Sequence, residues 1–249
     1  MTITRAQFTA YARQKLKIDK AIEAAIDELW DILDTSDLAA LETDLALYLP
    51  LIADQYGKAC AVAAADFYDH ARKASKVRGS YKASTEKGAL WHVDRDVKYA
   101  FGDTFAYSSQ KAFLTESVKQ TARDYGHATI MGNSNRDPFC DGYCSVPTND
   151  DPCVFCIMKA LDTFKNYKGE KLETEITEDA WHLNCKCELI PVWKDTPNWL
   201  EGDYERYESM YKAGREAAEA EARENGTWSG KLSAADVQRG MRMANGIEH

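Results

Sequence analysis

The sequence predicts an α+β fold: a predominantly α-helical body joined to a small Cys/His module that contains short strands. Three observations predict it. Long stretches carry apolar residues at three- and four-residue steps, the period of an amphipathic helix. Six of the seven cysteines fall between Cys140 and Cys187. Around them the helical period gives way to turn residues and one short strand-like run. These changes divide the chain into a helical body at 1–131, the Cys/His module at 132–195 and a charged helical tail at 196–249.

The first helix is expected over residues 5–33, where Ile18, Ile22, Ile26, Leu29 and Leu33 share one face. Thr35-Ser36-Asp37 breaks the pattern and offers a cap for a second helix through Leu38, Leu41, Leu45 and Leu49. Pro50 should kink or restart that helix, because it removes a donor and crowds the preceding turn. The pattern resumes through Tyr56, Cys60, Ala64, Phe67 and Ala71, where alanines allow close helix approach. Residues 72–98 carry Arg72, Lys73, Lys76, Arg78, Lys82 and Lys87 among Ser and Gly. This stretch reads as a solvated helix end and loop, with contact to nucleic acid or an acidic partner as its functional alternative.

Helical spacing returns from Ser108 to Thr121, and Arg136-Asp137-Pro138 marks a turn-rich boundary. A short helix is expected over 156–167, an extended or hairpin-like segment over Lys168–Ile176, and a strand from Cys187 to Trp193 ended or kinked by Pro191. Beyond Pro197 the chain is helical and acidic, interrupted at Gly226–Gly230, with a last helix from Ser233 to Asn245. With few large aliphatics, this tail is either a peripheral helix or a docking arm.

A chain of 249 residues with 45% hydrophobic content can bury a real core. A net charge of −9 argues against a general DNA-binding surface, which needs clustered positive charge. No run of eighteen apolar residues suggests a membrane span, and the first residues do not read as a signal peptide. The expectation is a chain folded in the cytosol, where thiols stay reduced and metal ligation is favoured over disulfides.

Cys153-Val154-Phe155-Cys156 and His182-Leu183-Asn184-Cys185-Lys186-Cys187 are the two halves of a candidate site. A CxxC turn presents two thiolates on one side of a tight loop, the usual first half of a tetrahedral zinc centre. The second cluster adds an imidazole and two thiols, and residues two apart on an extended strand point the same way. The first-choice ligand set for a structural zinc is Cys153, Cys156, His182 and Cys185. Cys187 in place of His182 or Cys185 is the main alternative. Disulfides and plain buried thiols are the competing readings. Cys140 and Cys144 form a separate pair that could close a small disulfide, join the site or do neither.

The helix from Tyr56 to Asp69, then Val146-Pro147-Thr148, the CxxC, the HLNCKC run and Pro191 together resemble the MuF-like minor capsid proteins of tailed phages, the head-morphogenesis group. The resemblance covers residues 40–193. Ser145 stands where that family often has an Arg before Val-Pro. The resemblance implies a low-copy virion protein, in the head interior or at the portal vertex, assembled in the host cytoplasm. Its implied partners are the portal protein, a major capsid or scaffold protein, and packaged DNA. Some relatives carry the label capsid maturation protease. Against that activity, the sequence holds no GxSxG and no HExxH, and His92, His127 and His182 have no nucleophile signature beside them. A Cys153 or Cys156 nucleophile with His182 is the remaining protease arrangement.

Overall fold

The computed structural model describes residues 2–106, 108–149, 151–172, 185–194 and 197–247. Seven helices and two strands follow in order among them: α1 (Arg5–Ile32), α2 (Leu38–Ala74), α3 (Trp91–Ala100), α4 (Gln110–Arg136), β1 (Gly142–Pro147), α5 (Val154–Tyr167), β2 (Cys187–Val192), α6 (Asn198–Glu224) and α7 (Ala234–Asn245). The helical body and small strand module match the expected α+β class. No described helix is long and apolar enough to cross a membrane.

Local chemistry explains the helix starts. Thr4 and Gln7 form a capping box ahead of α1. The Asp37 carboxylate accepts from the Ala39 and Ala40 amides, both at 3.1 Å, and opens α2. Of the expected kink or restart, the restart does not occur: α2 runs through Pro50 without a break. The missing proline amide leaves the Ala46 carbonyl unbonded, but Ala46 is exposed and water can serve it.

Two apolar cores stack along the helices. One gathers Ile22 and Ile26 of α1, Leu45 and Leu49 of α2, Val97 of α3 and Leu114 and Val118 of α4. The other joins Phe8, Tyr68 and Ile130 to Ile157 and Leu161 of α5, Leu189 and Ile190 of β2, Tyr204 and Tyr211 of α6 and Met241 of α7. The boundary expected at 131/132 falls inside α4. In the tail, α6 buries three tyrosines in the second core, and α7 crosses α6 at Gly214 and Gly240, where neither site leaves room for a Cβ.

The basic stretch keeps its solvated character at Lys73, Lys76, Arg78, Lys82 and Lys87, which are exposed, and departs from it at Arg72. Residues 76–90 form an extended strap stitched to α2 and α4, and α3 follows directly. The Ala83 amide donates to Asp69, the Ser84 amide to Asn133, and the Glu86 amide to Thr129 Oγ1. Tyr125 is wedged between helix and strap: a Cβ on Gly57 would lie 2.7 Å from its ring and one on Gly88 2.4 Å. Arg72 is no surface contact. It is buried, its Nε donates to Asp137 at 2.8 Å, and its two terminal nitrogens donate to the Gly79 and Arg78 carbonyls.

The strand at 142–147 was not legible in the sequence. It pairs antiparallel with β2, Gly142 opposite Val192 and Pro147 opposite Cys187. The Ser145 amide points outward to Thr163 Oγ1 at 2.8 Å, while the Thr148 amide points inward to the Lys186 carbonyl at 3.2 Å. Antiparallel rungs alternate, so Pro147 and Pro191 both sit on rungs that carry no ladder bond. Pro191 therefore neither ends β2 nor removes a bond from it.

Asp137, at the end of α4, locks the second core. It accepts from Arg72, from the Trp193 indole at 3.1 Å and from the Phe139 amide at 3.2 Å. Burial alone would raise its pKa, but Arg72 and the two N–H donors outweigh that and hold it below the usual carboxylate value. Its stabilisation is therefore present above the unfolded pKa of about 3.9 and lost as pH falls through the folded value. Asp137→Asn should cost about 3 kcal/mol at neutral pH, and the gap to wild type should narrow below about pH 4. Urea midpoints across that range measure it, and a gap independent of pH contradicts it.

Candidate metal centre

The CxxC is built by a helix start. Cys153 is the N-cap of α5, with an extended backbone, and its Sγ accepts from the Cys156 amide at 3.5 Å. Cys156 lies one turn on, so both thiols face one side near the helix N-terminus, where unpaired amides favour negative charge. Cys187 begins β2, and Cys185 stands two residues before it, just outside the strand.

Three consecutive carbonyls of this second segment are gripped. Arg123 Nη1 of α4 donates to Cys185 O at 2.5 Å, and Thr148 donates to Lys186 O through its amide at 3.2 Å and its hydroxyl at 2.5 Å. His127 Nε2 of α4 donates to Cys187 O at 3.0 Å.

The result is a buried group of three sulfurs, Cys156, Cys185 and Cys187, all within 4.8 Å of one another, with Cys153 packed against them. The Sγ atoms of Cys156 and Cys185 are 3.7 Å apart. Four sulfurs at about 2.3 Å from a tetrahedral cation stand about 3.8 Å from each other, so the spacing fits. The three residues are 4%, 1% and 0% exposed. Neighbouring Cys153, Cys185 and Cys187, with burial, push the Cys156 thiol far up. At Cys187 the contact with Cys156 lowers the pKa, but Cys185 and burial outweigh it. A coordinating cation would deprotonate these thiols outright. This cluster could bind a metal.

Cys187, held as the alternative ligand, is inside the group, and His182 lies outside the described residues. Cys140 and Cys144 stand apart from the cluster. No disulfide joins the described cysteines. Cys140 Sγ lies 3.2 Å from Gly142 O, and Cys144 is buried in the second core, its pKa pushed up to about 12 by burial. The remaining histidines serve locally: His70 Nδ1 meets Asp66 O at 2.7 Å, and His92 stacks edge-on with Trp91. Of the basic stretch, Lys73, Lys76 and Arg78 are exposed, and Lys82 pairs with Asp69.

Sequence reasoning missed the polar layer behind the thiols. Arg123 also pairs with Asp19 of α1 at 2.5 Å, and Tyr11, Lys15 and Glu188 are buried nearby. The available signal was the spacing of Arg123 and His127, four apart on one helix face.

A model of the family described as VG15 protein matches residues 2–214. The chain belongs to the VG15 protein family. Membership marks it as a viral protein of phage type. No curated protein matches the chain, and no solved structure does. The VG15 match takes in the first core, most of the second and all the cysteines, and stops inside α6, before α7.

In the metal-free native protein, Cys140 and Cys153, the two partly exposed thiols, should react with a thiol reagent well before the other five. Peptide mapping of the label checks this, and early labelling of Cys156 or Cys187 contradicts the packing.

Proposed function

We propose that this VG15 protein is a structural minor capsid protein of a tailed phage, of the MuF-like head-morphogenesis kind. It docks at the portal vertex facing the head interior, and it supports assembly and DNA packaging or delivery. Its partners in this reading are the portal protein and a major capsid or scaffold protein. Its thiol cluster holds one structural zinc through Cys156, Cys185 and Cys187, with Cys153 in the fourth place. Zinc would cross-link α5 to the Cys185–Cys187 segment and supply folding energy there.

One observation carries the structural rather than the catalytic reading: the thiols converge inside the fold, buried away from any substrate, and neighbouring thiols push the Cys156 pKa up. A cysteine nucleophile needs the opposite, a lowered pKa and access to substrate. The phage family membership and the order of the motifs from Tyr56 to Pro191 support the virion role.

Protein purified without chelator should carry about one zinc per chain, a closed site of this kind holding one ion. At free zinc a thousandfold above Kd the ion stabilises by about 4 kcal/mol, so chelation should lower the melting temperature by about 10 °C. Cys156→Ser should lose both the metal and that shift; a variant that keeps either overturns the zinc assignment. For the virion role, mass spectrometry of purified particles should find the chain as a low-copy head component alongside the portal protein. Its absence from particles and from assembly intermediates overturns that role.

A further inference from the structure

Cys185 and Cys187 point their carbonyls away from β1. Cys187 lies on a rung without ladder bonds, and Cys185 precedes the strand. Both residues are buried, so two carbonyls would lose water with nothing in return. Helix α4 answers both with Arg123 and His127. The match is metric. Four residues of helix rise about 6.0 Å, and two residues of strand rise about 6.7 Å. Donors at i and i+4 of α4 therefore meet acceptors at j and j+2 of the strand segment. Arg123 is itself held by Asp19, and both side chains are nearly solvent-free.

Resting on the zinc reading above, we infer that Arg123 and His127 are positioning residues of the thiol centre. They hold the Cys185–Cys187 backbone in place before any cation arrives, so that its thiols already converge on Cys156. The arrangement also links the centre to the N-terminal helix, because the guanidinium that fixes Cys185 spans to Asp19 of α1. Groups behind a metal's ligands commonly set affinity by about 10- to 100-fold.

The test uses the full chain, metal-free, with zinc as the probe. Zinc affinity is measured by chelator competition, and labelling rates of Cys185 and Cys187 are measured without metal. His127→Leu and Arg123→Met should each weaken zinc binding about 10- to 100-fold and speed labelling of both thiols. His127→Gln keeps an N–H donor and should return both readouts toward wild type. Lys111→Met removes an exposed α1–α4 ion pair with Asp27 and should change neither. If Arg123→Met does not fold, His127→Leu against His127→Gln decides alone. Folded variants with wild-type affinity and wild-type labelling overturn the inference. A wild-type chain that binds no zinc overturns the zinc reading instead, and the labelling rates then decide on positioning.

Discussion

Two strands of six residues each cannot stand alone in water, and here both outer edges are buried. Their unpaired amides and carbonyls must therefore be met by side chains from the surrounding helices. Thr163 of α5 and Tyr204 of α6 serve the amide and carbonyl of Ser145 on one edge, with Tyr204 at 3.1 Å. Arg123 and His127 of α4 serve the other edge. The sheet is thus the point at which four parts of the chain have to agree, and the thiol cluster forms where that agreement is tightest.

Behind the cluster lies a layer of buried charge. Lys15 and Arg123 face Asp19 and Glu188 across α1, α4 and β2. Burial alone would lower the pKa of Lys15, but Glu188 and Cys60 together outweigh it and hold it above the usual lysine value. Gly126 makes space for it, since a Cβ there would fall 2.6 Å from Lys15 Nζ. Such pairs add little net stability over apolar substitutes, but breaking one leaves a costly lone charge. The effect of the Asp19–Arg123 pair here is to fix the seating of α1 against α4: a helix slipped by one turn would part the two charges.

The helices were legible because their apolar faces repeat over many turns and their starts carry capping residues such as Asp37. The convergence of CxxC and CxC was legible because both spacings dictate a shared direction for the thiols. The strap from 76 to 90 was not, because its conformation is imposed by Asp69, Thr129 and Asn133, which are distant in sequence. Arg72 read as surface charge because nothing local announces a buried carboxylate 65 residues away. Strand β1 hid for a related reason: its partner lies beyond α5, and its two-proline pairing makes sense only once the rungs are known. In each case the deciding contact is tertiary, and a local pattern carries no record of it.

The central claim is that the converged cysteines form a sulfur-rich zinc centre at the junction of helix and sheet. X-ray absorption at the zinc edge of the purified full-length protein tests it most directly. The account predicts a first shell of at least three sulfurs at about 2.3 Å. A shell of oxygen and nitrogen alone, or no zinc signal from protein never exposed to chelator, would contradict it.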